Sequence, residues 1–194
     1  MHDSTEIFAL VLSAIVALGL AASCGFRVFV PPLVASIAAH ANMLHLSPGM
    51  QWIASTPALV CFAVATALEI AGYYIPVVDN FLDSVATPSA VVAGIIVAAA
   101  VLPDADPWLR WSLAVIAGGG AAAVVQIPTV IARGASTLTT GGIANHVVAT
   151  AETVGATLFS IAAIVAPLLL PLFVFVAAYI AYRLLRTRAP QAAR

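Results

Sequence analysis

Apolar residues fill this chain in long blocks, and the polar positions between them gather at short turns. The first block runs from about Ile7 to Ala39. As one straight helix it would rise about 50 Å, well beyond a hydrocarbon core of about 30 Å. Gly25, Arg27 and the pair Pro31-Pro32 stand in its middle. A break there predicts a span over about 7–24 and a shorter helix over about 29–41. ANMLHLSPGMQW follows as a loop, with Trp52 placed as an interfacial anchor. Pro57 then opens a helix from about Pro57 to Tyr74, which Tyr73-Tyr74 and Pro76 bring to an interfacial stop.

In the second half, the polar stretch VVDNFLDSVATP reads as a loop leading to an apolar segment from Ser89 to Leu102. PDADPW marks a turn, and a helix is expected from about Trp108 to Ile131, containing Gly118-Gly119-Gly120 and Pro128. Arg133 opens ARGASTLTTGGIANH, which reads as a polar, flexible loop. The run from about Val147 to Leu185 is again too long for one span, so Pro167 and Pro171 divide it into helices near 147–165 and 169–186. The pattern predicts an all-α fold: a polytopic membrane helical bundle of five to seven membrane helices with broken or re-entrant segments. Residues 1–186 form one membrane domain, and 187–194 a short basic tail. A faint echo between Ala65–Gly72 and Ala149–Gly155, with Glu and Gly three apart in both, allows an internal inverted repeat.

Composition supports a bilayer as solvent. Hydrophobic residues make up 63% of the 194 and charged residues 8%, against about 25% charged in soluble domains. Mean hydropathy is +1.11. Lys is absent and the seven Arg are scattered, which argues against nucleic acid as a partner. Membrane lipids and a small solute or ion are the expected partners, and a homo-oligomer is compatible with the chain. Arg183, Arg186, Arg188 and Arg194 place the C-terminus in the cytoplasm of a multi-pass protein of the bacterial inner membrane. The N-terminus carries Asp3 and Glu6 in place of a positive region, so a retained helix is expected rather than a signal peptide. Cys24 and Cys61 form no CxxC and read as buried, inert thiols. His40 and His45 lack HExxH or an acidic neighbour, and no GxSxG is present. No metal, cofactor or catalytic residue is expected.

The informative residues are the polar exceptions, because an ionised side chain at membrane depth is costly unless paired or wetted. Arg27, Glu69, Arg133 and Glu152 are the chief candidates, with Asn145 beside the start of the penultimate helix. Gly25, Pro31, Pro76, Asp79, Gly142 and His146 are secondary ones. Arg27 can donate two parallel hydrogen bonds to a glutamate carboxylate. Such a pair fits a structural salt bridge, a site for a charged solute, or side chains snorkelling to the interface. Asp79 is placed to cap a turn, Asp83 is expected in water, and Asp104 and Asp106 read as solvated turn residues. The Ser, Thr and Gly of STLTTGG offer backbone N–H groups to an anion beside Arg133.

At these residues the chain resembles the bacterial integral membrane family catalogued as domain of unknown function 4126, over roughly residues 10 to 175. The family's Gly-x-Arg motif with a following proline reads here Gly25-Phe26-Arg27-Val28-Phe29-Val30-Pro31. Glu69, Pro76 and Asp79 match a second motif, with Tyr73 and Tyr74 where an Asp-Lys pair is usual. Gly142, Asn145 and Glu152 match a third, with Thr153 in place of an Asp. The resemblance implies the membrane fold and brings no activity with it.

The broken helices and buried charges together suggest a small inner-membrane transporter or channel-like protein for a small, anionic solute. The alternatives are a structural or assembly protein whose intramembrane salt bridges serve folding alone, and a lipid-acting membrane enzyme.

Overall fold

A computed structural model describes residues 4–103 and 106–169, together with Leu172, Phe175, Tyr179 and Arg183. It is all-α. In chain order the helices are α1 (Ser4–Ser23), α2 (Val30–His40), α3 (Thr56–Gly72), α4 (Pro76–Val101), α5 (Pro107–Leu113), α6 (Gly120–Thr140) and α7 (Asn145–Val165). A short 3₁₀ turn, Gln51–Ala54, precedes α3, and a π-helical segment, Ala114–Gly119, fuses α5 to α6.

Prolines punctuate the chain. Pro31 and Pro32 sit in the first turn of α2, where a missing N–H costs nothing, and they keep α1 from running on. Pro57 does the same for α3, whose first turn is also capped by Ser55 accepting from the Ala58 N–H at 3.3 Å. Asp106 accepts from the Trp108 N–H at 2.9 Å, so this turn aspartate is a helix cap.

Two polar stretches expected as loops are helical instead. The helix expected to begin at Ser89 begins at Pro76, so Asp79 and Asp83 lie on the first two turns of α4. The helix expected to end at Ile131 runs to Thr140 and is closed by Gly141 in the left-handed region at φ 63°, so Arg133 is interior to it. Most of STLTTGG is therefore helix, and its backbone donors already bond within α6. From these stretches Asp79 and Arg133 point inward and pair with each other, while Ser84, Thr87, Thr137, Thr139 and Thr140 stay exposed.

Four helical stretches among the described residues are long and apolar enough to cross a membrane: Ser4–Ser23, Phe81–Val101, Pro107–Thr140 and Asn145–Val165. Helices α2 and α3, with 11 and 17 residues, rise only about 16 and 25 Å. Among the described residues the span count is thus four, where five to seven are expected for the chain, and the helix expected near 169–186 falls largely outside the described residues, as does the tail 187–194.

The core joins α1 to α4, the π-helical segment and α6 through small residues. Ala17, Leu20, Ala21 and Cys24 meet Ala93, Val97, Ala98, Ala114 and Ala122, all buried. Helices also approach closely at Gly118, where a Cβ would stand 2.8 Å from the Gly94 carbonyl oxygen. Large apolar side chains face outward, among them Val64 and Leu68 of α3, and Val124, Ile131 and Leu138 of α6. Cys24 is buried as expected, but Cys61 is exposed with this outer apolar surface.

This arrangement inverts that of a soluble domain. Arg27, Glu69, Asp79, Arg133 and Glu152 are buried while many large apolar side chains face outward, which suits a multi-pass protein in a bilayer.

Candidate functional site

The ends of α1, α3 and α6 and the beginnings of α2, α4 and α7 gather at one end of the bundle, and the candidate residues meet there. Arg133 is seven residues before the end of α6, and Glu152 seven after the start of α7. Each therefore lies about 10 Å inside its helix end.

Arg133 is the hub. Its Nε donates to Glu152 Oε1 at 3.1 Å while Nη2 meets Glu152 Oε2, a bidentate pair. Nη1 donates to Asp79 Oδ1 at 2.8 Å and stands 3.5 Å from Asp83 Oδ1. Asn145 Nδ2 donates to Asp79 Oδ2 at 3.1 Å, which fixes the second carboxylate oxygen. Arg133, Asp79, Asn145 and Glu152 are all buried, whereas the Asp83 side chain is 30% exposed. Asp83 was expected in water. It forms the partly open rim of the network.

Arg27 sits in the break between α1 and α2, 1% exposed. Its Nη2 donates to the Ala149 carbonyl at 2.7 Å and lies 3.5 Å from Glu152 Oε2; Nε donates to Thr153 Oγ1 at 3.0 Å. The bidentate partner of Glu152 is thus Arg133, and Arg27 takes a looser edge of the same carboxylate. Nη1 of Arg27 is buried with no hydrogen-bond partner.

Glu69 does something that its charge alone did not suggest. Its two oxygens accept from the backbone N–H groups of Val28 (2.8 Å) and Phe29 (3.0 Å). These donors stand at the mouth of α2, where the helix dipole favours an anion. The glutamate near the end of α3 therefore caps the break that Gly25 and Pro31 create. Of the two glutamates of the sequence echo, Glu69 thus binds the Val28 and Phe29 amides, while Glu152 lies beside Arg27 and Arg133.

Tyr73 is the residue sequence reasoning missed. Its ring centroid is 3.9 Å from Arg27 Cζ and 4.2 Å from Arg133 Cζ, so one aromatic ring serves both guanidiniums. The sequence reads it as an interfacial stop because it stands beside Tyr74 and Pro76. The available signal was its position four residues after Glu69, one turn along the same helix face. Asp79 and Asp83 were readable in the same way: Pro76 at a first helical position, followed by an acid in the first turn, is a helix start.

The secondary candidates divide. Gly25 packs against α6, where a Cβ would strike the Ala122 carbonyl oxygen and lie 2.7 Å from Val125 Cβ. Pro31 is buried in α2, and Pro76 begins α4. Gly142, at φ 87°, turns the chain so that the Asn145 N–H reaches its carbonyl at 3.0 Å. His146 stays outside the network, its ring 5.5 Å from that of Tyr74. No group of three or more potential metal ligands occurs among the described residues.

Beyond its own geometry the chain can be set against known proteins. A family model described as a domain of unknown function (DUF4126) matches residues 14–187. No curated protein and no solved structure matches the chain.

Proposed function

The chain belongs to the DUF4126 family, whose description assigns no activity; from the buried network we propose a small polytopic membrane transporter for a small anionic solute, coupled to protons. The observation that carries this reading is that one carboxylate, Glu152, contacts both buried arginines. Protonating that single group removes the one carboxylate that contacts both arginines, while Asp79 and Asp83 stay beside Arg133. An anionic solute then takes its place, since guanidinium pairs equally well with carboxylate or phosphate. Loss of the proton restores Glu152 and expels the solute. The unpartnered Nη1 of Arg27 supports this exchange as a spare donor. The partly exposed Asp83, joined to Arg133, supplies the link to solvent.

Flux into proteoliposomes under an imposed pH gradient tests the proposal, with phosphate, acetate and chloride as probes. Wild-type uptake of one of them is expected to follow the gradient, and Glu152→Gln is expected to make that uptake independent of it. A folded Glu152→Gln protein with unchanged gradient dependence sinks the mechanism.

A purely structural role is the second reading, and a specific observation favours it. Every buried carboxylate among the described residues has protein partners: Asp79 has Arg133 and Asn145, Glu152 has both arginines, and Glu69 has two backbone N–H groups. It predicts that replacing Arg133 and Glu152 together by apolar residues of similar volume leaves the fold and every phenotype intact.

A further inference from the structure

Outside the ionic network, an open groove of about 660 Å³ runs along the outer face of α7 beside the end of α3. One end is polar, with Tyr74, His146 and Thr150; Val147, Val154 and Gly155 continue it as an apolar trough. The polar end lies at the turn into α7, where the helix ends gather. Gly155 is nine residues further along α7 than His146, about 13 Å deeper into the bundle. The polarity of the groove therefore changes along the same axis as that of a membrane leaflet. Val147 is 71% and Val154 51% exposed, so hydrocarbon is what this face meets.

We propose that the groove seats one phospholipid, its phosphate at His146 and Tyr74 and an acyl chain along Val147, Val154 and Gly155. The charge chemistry at the polar end favours an anionic headgroup. His146 is the one ionisable side chain besides Tyr74 among the lining residues, and no carboxylate lines the groove. Both its ring nitrogens face carbonyl oxygens, Nδ1 that of Ile143 and Nε2 that of Tyr74, each at 3.4 Å. At that length both contacts are loose, so a ring N–H can shift onto a phosphate oxygen. The Tyr74 hydroxyl lies 2.8 Å from Thr150 Oγ1, and Thr150 itself donates to the His146 carbonyl at 2.8 Å. Tyr74 can thus turn its proton to a headgroup while Thr150 keeps its own partner. The site differs from the transport network in residues and in exposure, and it stands whether or not solute moves through the protein.

The test uses the full chain purified in detergent and native mass spectrometry with added phosphatidylglycerol or phosphatidylcholine. One phosphatidylglycerol is expected to stay with each chain, in preference to phosphatidylcholine. His146→Gln should lower that retention roughly tenfold, the size of one hydrogen bond to a charged group. Gly155→Leu fills the trough from a position where a Cβ meets only the Phe26 ring at 3.8 Å. It is expected to fold normally, checked by an unchanged melting temperature, and to lose the lipid. Retention unchanged in both variants overturns the proposal, as does a lipid-free dimer with the groove at its interface.

Discussion

Arg133 faces two buried carboxylates at once, so its removal leaves Asp79 with only the Asn145 amide and Glu152 with only the looser Arg27. Arg133→Ala should lower stability by about 3–5 kcal/mol, the cost of breaking a buried pair from one side. Denaturant unfolding in detergent reads this loss, and a double-mutant cycle with Glu152→Ala should show strong coupling. A cost below 1 kcal/mol, on the order of a solvated surface pair, would mean that the network is wet. At Tyr73 the ring and the hydroxyl can be separated. Tyr73→Phe keeps the face that both guanidiniums touch and should be close to neutral. Tyr73→Leu should cost roughly 1–2 kcal/mol, because a leucine has no negative face. Arg27, Glu69, Arg133 and Glu152 stood out in the sequence because hydrocarbon rejects unpaired charge. Their pairing did not. Arg27 could equally have taken Glu69, and only the placement of α3 gives that carboxylate to the Val28 and Phe29 amides instead.

Among the elements, the glycines distinguish contact from mere flexibility. A Cβ at Gly25 would meet the Ala122 carbonyl, Val125 Cβ and Gln126 N. Gly25→Ala should therefore push α6 off the end of α1, at a cost of about 1–3 kcal/mol from overpacking. At Gly134 nothing lies within 4 Å of the added carbon. Gly134→Ala should stabilise by about 0.4–1 kcal/mol, through a less flexible unfolded chain. Comparing the two melting temperatures in one detergent checks both, and equal shifts would contradict the packing at Gly25. The break after α1 and the starts of α2 and α3 were readable, since proline acts locally on the backbone. The helical state of 77–88 and 132–140 was not. Polar residues look alike in sequence whether water or a buried partner satisfies them, and here Asp79 and Arg133 satisfy each other across two helices.

For the molecule as a whole, the continuous helix Pro107–Thr140, 34 residues, rises about 50 Å. That is long enough for its two ends to reach opposite sides of a bilayer. In a background with Cys24 and Cys61 replaced, Asp106→Cys and Ile143→Cys should react with a membrane-impermeant thiol reagent from opposite faces of sealed vesicles. Labelling of both from one face would overturn the membrane arrangement.

What the sequence determined alone was the solvent and the element type. Long apolar blocks can be hydrated only at prohibitive cost, and in a bilayer a helix satisfies its backbone within itself. The few charges had to turn inward for the same reason. Which charge met which was decided by tertiary structure: Glu152 between two arginines, Tyr73 against both, Glu69 at the mouth of α2. Such contacts join residues up to 126 positions apart, and no local rule of propensity or periodicity reaches that far. They depend on how closely the small faces of α1, α4 and α6 allow the helices to approach.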